Sequence, residues 1–279
     1  MKQVQGTALL VTVAEDLSSE PILKVWALDK LEKKTGVPKC QSTLTIHNGH
    51  KQFPISAFDA LDDLSQIAVG FANGTVTLIR GDLIHDHIPK QRTVFDSDEP
   101  ITGVGMRVGK TTTLYIATTA KISTLVISGK GQGQPAKTLE ETGCGLKCMT
   151  VDRTTGDIVV AREDAIYYYG LHGSGPHYPY EGPKKMVTMF KDYVVVISPP
   201  RANTITASNP LRAFGTSASG DLFNTSSFTL LDTDLRFIAH QEALSSTIQY
   251  VFAEWGDLFI LTLDGKVYYA LYTLFYHLG

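Results

Sequence analysis

The sequence predicts an all-β chain of the β-propeller class, with about six recognisable blades of an incomplete seven-bladed ring. Three observations carry this. Short β-branched and aromatic runs recur in pairs around small, polar or glycine-containing turns. Those turns fall at a near-constant spacing: 46 residues separate Asn73 from Thr119, 45 separate Thr119 from Asp164, and 100, or two units of 50, separate Asp164 from Asp264. No long segment shows a helical period.

Taken in order, each unit reads as an inner strand followed by a hairpin. The first unit holds "ALLVTVAED" and "LKVWAL" but no upstream strand, since residues 1–7 are too few to supply one. The second is "ISAFDAL" before "QIAVGFANGTVTLI", with Asn73-Gly74 as its hairpin turn. The third is "ITGVGMR" before "TLYIATTAKISTLVI", and the fourth "LKCMTVD" before "DIVVAREDAIYYYGL". The fifth pairs "KMVTMF" with "YVVVIS"; its return strand lies beyond residues 199–227, a Pro, Ser, Thr, Asn and Gly-rich stretch that reads as an insertion loop. The sixth is "IQYVFAEWG" before "DLFILTLDGKVYYAL", turning at Asp264-Gly265. Less regular stretches between units supply outer fourth strands. The propeller therefore spans 8–270, truncated on its N-terminal side, and 271–279 is a divergent apolar tail too short to cross a bilayer.

Composition narrows the function. The 279 residues are 43% apolar and 19% charged, enough for one large domain with a sizeable core. A net charge of −3 gives no bulk attraction to nucleic acid or an anionic membrane surface. Three cysteines, Cys40, Cys144 and Cys148, and no signal peptide point to a reducing, cytoplasmic setting.

The chemistry-bearing candidates resolve into structure, leaving no catalytic, cofactor-binding or metal residues to assign. "GVGMRVGKTTT" (103–113) imitates a phosphate-binding loop, but the first glycine would have to stand at Val104, and a β-branched run follows Lys110 where a helix is required. The spacing of Cys144 and Cys148 lacks the further ligands of a structural zinc site, so buried strand cysteines or a tight turn at Gly143 and Gly145 are expected. His85 and His87 share a face on an extended segment but have no third ligand. The acidic pairs Asp62-Asp63 and Glu140-Glu141 read as solvated turns. Trp26, Phe71, Tyr115, Phe190, Trp255 and Phe259 read as core rings, and the run Tyr167, Tyr168, Tyr169 must expose at least one ring, a potential partner anchor.

"LVTVAED…PILKVWALDK", "IAVGFANGTVTLIRGD", "VGKTTTLYIATT", "ETGCGLKCMTVD" and "FAEWGDLFILTLDGKV" resemble, in order, the N-terminal propeller of the vacuolar protein sorting-associated protein 11 family. The resemblance implies a non-enzymatic subunit of the HOPS and CORVET membrane-tethering complexes, acting in vesicle-mediated transport and membrane fusion. Its implied partners are the other subunits of those complexes and, indirectly, Rab GTPases and SNAREs. Its implied place is cytoplasmic and peripheral on late endosome and vacuole or lysosome membranes, held through the complex. A propeller enzyme or small-ligand binder at the channel mouth is the alternative, and it predicts ionisable side chains meeting there.

Overall fold

Residues 1–4, 6–16, 19–47, 53–84, 89–127, 135–199, 226–254 and 256–270 are described in a computed structural model of the chain. The β-branched and aromatic runs become strands, and among the described residues there is no helix. The strands form six antiparallel sheets, the six blades of a β-propeller, each built from consecutive strands. The first sheet holds β1 (Lys2–Gln3), β2 (Leu9–Asp16), β3 (Ser19–Leu31) and β4 (Pro38–Thr45), and the second β5 (Ile55–Ala60), β6 (Gln66–Phe71), β7 (Val76–Arg80) and β8 (Lys90–Phe95). The third holds β9 (Ile101–Arg107), β10 (Thr113–Thr118), β11 (Ile122–Val126) and β12 (Lys137–Glu140), and the fourth β13 (Met149–Val151), β14 (Ile158–Ala161), β15 (Ala165–Gly170) and β16 (Gly173–Pro179). The fifth comprises β17 (Met186–Phe190), β18 (Tyr193–Ser198), β19 (Ser226–Asp232) and β20 (Phe237–Leu244); the sixth has β21 (Ile248–Glu254), β22 (Asp257–Thr262) and β23 (Val267–Ala270).

The chain divides into two compact units, Met1–Val160 with Tyr167–Pro176, and Ala161–Ile166 with His177–Gly279. In the first unit the cores lie between facing sheets. Val11, Leu23 and Val25 pack with Ile67, Val69, Phe71 and Ile79; on the other face of the second sheet, Ala68, Val76 and Leu78 pack with Ile101, Leu114 and Ile116. In the second unit Val195, Ile197, Phe228 and Leu230 pack with Val251, Leu258 and Ile260. Each strand of this kind buries residues on both faces, which is why β6, β10 and β14 read as continuous apolar runs. Burying one large aliphatic or aromatic side chain contributes about 1.5–3 kcal/mol.

Several expectations need correction. The first sheet does have an inner strand: Lys2 and Gln3 pair with Val11 and Leu10. Two residues suffice because a tight turn completes the pairing, with the Val4 N–H donating to the Leu9 carbonyl at 2.9 Å and the Thr7 N–H to the Val4 carbonyl at 3.2 Å. The outer fourth strands, expected from the stretches between units, are present in five sheets, and the sixth has three strands among the described residues. Six sheets occur there, matching the about six recognisable blades expected. The long loop of the fifth unit falls between β18 and β19, but Ser226 and Ser227 already belong to β19, so the strand begins inside the expected insertion. Residues 200–225 and the tail 271–279 lie outside the described residues.

Candidate functional site

The ends of the inner strands carry charge. In β5 the apolar alternation is interrupted one residue from its end by Asp59, a carboxylate only 9% exposed. Three other parts of the first unit converge on it. Lys2 of β1 donates its Nζ to Asp59 Oδ1 and to the Ala60 carbonyl; the Met106 N–H of β9 donates to Asp59 Oδ2 at 2.8 Å; Arg153, in the turn after β13, brings Nη2 to 3.8 Å of Oδ1. The Ala60 N–H adds a local bond at 3.0 Å. A buried carboxylate is costly unless its lone pairs are filled, and here they are filled by one ammonium and two backbone donors. The arrangement ties the inner edges of four consecutive sheets to one side chain.

A second pair lies alongside. Arg107, the last residue of β9, donates Nη1 to Asp157 Oδ1 at 3.1 Å, and its chain passes over Gly156, whose φ is +75°. A Cβ on Gly156 would stand 2.9 Å from Arg107 Nε, so glycine both adopts the left-handed turn and leaves room for the arginine. Arg153 also reaches Asp62 at 3.3 Å. Between these groups is an open cleft of about 520 Å³, lined among others by Asp62, Asp63, Gln66, Arg107 and Arg153. Behind it the Tyr115 ring is fully buried; that burial raises the phenol's pKa, and the Arg107 guanidinium pulls it back in part.

A neighbouring groove of about 450 Å³ is lined by Ser65, Gln66, Arg80, Lys110, Thr111, Thr112 and Ile127. Its lip is the stretch that imitated a phosphate-binding loop. Gly103 and Gly105 are not in a loop at all; they are strand residues of β9. A Cβ on Gly105 would lie 2.3 Å from Val151 Cγ2 and one on Gly103 2.8 Å from Met149 Cβ, so these glycines let β9 and β13 pack closely. The chain then bends at 109–111 and enters β10, a strand and not a helix.

The remaining sequence candidates scatter. Cys144 and Cys148 are buried, but in the connection between β12 and β13 and not in strands; the Cys148 N–H closes a turn on the Gly145 carbonyl at 3.1 Å. His85, Asp86 and His87 lie outside the described residues, as does Trp255. Among the described residues no group of three or more His, Cys, Asp or Glu side chains could hold a metal ion. Asp62 and Asp63 do form an exposed turn, where Asp63 accepts the Ser65 N–H at 3.0 Å. Glu140 ends β12 and Glu141 follows it, exposed. Phe71, Tyr115 and Phe190 are core rings; Trp26 and Phe259 are only half-buried. Trp26 instead donates its indole N–H to Thr12 Oγ1 at 2.8 Å, and Phe259 stacks between Phe252 and Tyr269. Of the three tyrosines, Tyr169 is buried while Tyr167 and Tyr168 are half-exposed. Lys2, Asp59, Arg107, Arg153 and Asp157 went unnoticed in the sequence. Only Asp59, Arg107 and Arg153 carried a signal, a charged residue near the end of an inner strand.

Among the described residues no helix is long and apolar enough to cross a membrane. Residues 1–270 match the family model described as PEP5/VPS11 N-terminal. The chain is 31% identical over 270 residues to the vacuolar protein sorting-associated protein 11 homolog of Mus musculus, covering 95% of this chain and 28% of that protein. It is 32% identical over 280 residues to the homolog of Dictyostelium discoideum, covering 91% of this chain and 28% of that protein. It thus spans about 28% of the length of these relatives. Among solved structures, Saccharomyces cerevisiae Sqt1 superposes with a TM-score of 0.55 at 13% identity, over 95% of this chain and 79% of that one, a likeness of fold alone.

Proposed function

Because the chain belongs to the PEP5/VPS11 N-terminal family, we propose that it is a non-enzymatic interaction module of vacuolar protein sorting, the propeller portion of a subunit of the HOPS and CORVET tethering complexes. The observation that carries this reading is the match over residues 1–270, nearly the whole chain, backed by relatives named for vacuolar sorting. The turns of the sheets display side chains to partners. Its partners are the other subunits, and through them Rab GTPases and SNAREs in membrane fusion. It sits in the cytoplasm, peripheral on late endosomal and vacuolar or lysosomal membranes through the complex and without crossing the bilayer. No nucleic acid or cofactor takes part.

The inner-strand cluster bears on the rival reading of a propeller enzyme. Ionisable groups do meet there, but Asp59 is filled by Lys2 and two backbone N–H groups, and Arg107 and Arg153 lie on Asp157 and Asp62. Such mutual satisfaction favours a brace between blades over a site poised for proton transfer.

The test is affinity purification of the tagged chain from cells, followed by mass spectrometry. Vacuolar-sorting subunits should be enriched over a tag-only control. Recovery of no sorting subunit and no endosomal protein would sink the reading.

A further inference from the structure

The hairpin of β3 and β4 runs past the sheet that supports it. β2 accompanies β3 only as far as Ala27, opposite Leu9, and the Leu28 N–H then donates to the Ala8 carbonyl at 2.7 Å. Beyond that point β3 pairs with β4 alone. Leu31 stands opposite Pro38, and the Glu32 N–H donates to the Val37 carbonyl at 2.9 Å. The turn closes with the Gly36 N–H on the Glu32 carbonyl at 2.9 Å, Gly36 having a φ of +67°. Burial changes at the same place: Leu23, Val25 and Ala27 alternate into the core, and every residue from 28 to 37 is exposed.

Two features of this arm point to a ligand. Residues 28–39 hold Lys30, Lys33, Lys34 and Lys39 against Asp29 and Glu32, a surplus of two positive charges in a chain whose net charge is −3. None of the four lysines meets a carboxylate among the described residues, and Glu32 accepts the Thr35 hydroxyl at 3.1 Å. Lys24, further back on β3, lies over the Trp26 ring at 5.4 Å and is not counted with them. The second feature is aliphatic surface: Leu31 is 61% exposed, Val37 48% and Leu28 36%, although the same strand buries its apolar residues completely a few positions earlier. A solvated hairpin gains nothing from exposed leucines. Aliphatic groups set among unpaired lysines match a surface that is anionic outside and apolar just beneath, which is the interface of an acidic bilayer.

We propose that the β3–β4 arm docks directly on an anionic lipid bilayer, Leu31 and Val37 entering the boundary between headgroups and acyl chains while Lys30, Lys33, Lys34 and Lys39 meet lipid phosphates. A nucleic acid would satisfy the lysines but leave the aliphatic side chains in water. The proposal goes beyond the function given above, in which the membrane is reached through other subunits, and it stands on the arm alone.

Co-sedimentation of the whole chain with phosphatidylcholine vesicles containing about a third phosphatidylserine, and with pure phosphatidylcholine vesicles, tests it. The acidic vesicles should carry the chain down, less so as salt is raised, and the neutral ones should not. Each lysine near such a surface strengthens binding about fivefold, so Lys33→Ser with Lys34→Ser should weaken it about 25-fold, while Lys33→Arg with Lys34→Arg stays within about twofold. Leu31→Ser, which leaves the charge alone, should weaken it about tenfold. These residues are exposed, and unchanged thermal melting of the variants confirms that the fold is intact. Absence of binding to acidic vesicles, equal binding to neutral ones, or insensitivity to Leu31→Ser or to the paired serine variant each overturns the proposal, as does tighter binding to duplex RNA than to the vesicles. If sorting subunits still co-purify with the chain while acidic vesicles fail to bind, the arm's assignment falls and the broader function stands.

Discussion

Asp59 Oδ2 accepts the Met106 backbone N–H at 2.8 Å, joining the inner strand of the second sheet to that of the third through a buried side chain. The same carboxylate holds Lys2 of the first sheet and lies 3.8 Å from Arg153, beyond β13 of the fourth. One residue thus braces four blades. Asp59→Ala strands the Met106 N–H and leaves Lys2, itself mostly buried, without its counter-charge. The expected loss is about 2–4 kcal/mol of unfolding free energy, read by urea denaturation. Asp59→Asn keeps an acceptor and should lose less. An Asp59→Ala protein as stable as the parent would show that the brace contributes nothing.

Gly105 and Gly103 face Val151 and Met149 at distances no Cβ tolerates. Gly105→Ala should therefore destabilise the fold by about 1–3 kcal/mol, as overpacking does. Gly109, on the exposed bend, has only the Thr111 carbonyl oxygen near, at 3.7 Å, and Gly109→Ala should change stability by less than about 0.5 kcal/mol. Comparing the two melting temperatures decides the matter; a reversed order would mean that these glycines serve the loop and not the packing.

No nucleotide dependence is expected. Differential scanning fluorimetry with Mg-ATP or Mg-GTP should leave the melting temperature where it is, since a ligand that binds the folded state raises it by mass action. A concentration-dependent rise would restore the phosphate-loop reading of 103–113.

Stability should decline at alkaline pH through Tyr115. Burial raises its folded-state pKa above the ordinary tyrosine value, so between the two values the unfolded chain has lost a proton that the folded chain keeps. The folded state is thus progressively disfavoured as pH rises above about 10. Tyr115→Phe removes that titration and should flatten the alkaline limb, with an effect at neutral pH of under about 1 kcal/mol. Parallel alkaline limbs for parent and variant would contradict it.

What was legible in the sequence was local. Asn73-Gly74 and Asp264-Gly265 announced hairpins because turn chemistry is written in adjacent residues, and the runs of β6, β10 and β18 announced strands through uninterrupted burial. The two residues of β1 gave no such signal, because alternation needs a longer window than Lys2–Gln3. The outer strand β16, Gly-Ser-Gly-Pro-His-Tyr-Pro, is mostly exposed and carries no apolar face to detect. The candidate site was illegible for a different reason. Lys2 and Asp59 are 57 residues apart, and Arg107 and Asp157 50, so each pairing exists only once blades stand side by side. The glycines of "GVGMRVGKTTT" misled by composition alone; which side chain crosses above them is decided by the neighbouring blade.

The most direct test of a vacuolar-sorting scaffold is where the chain goes in cells. Fluorescence microscopy of the tagged chain should show it concentrated on late endosomal and vacuolar or lysosomal membranes, and dispersed in the cytoplasm when the other tethering-complex subunits are depleted. A tagged chain that stays diffuse while those subunits are present and membrane-bound would contradict the assignment.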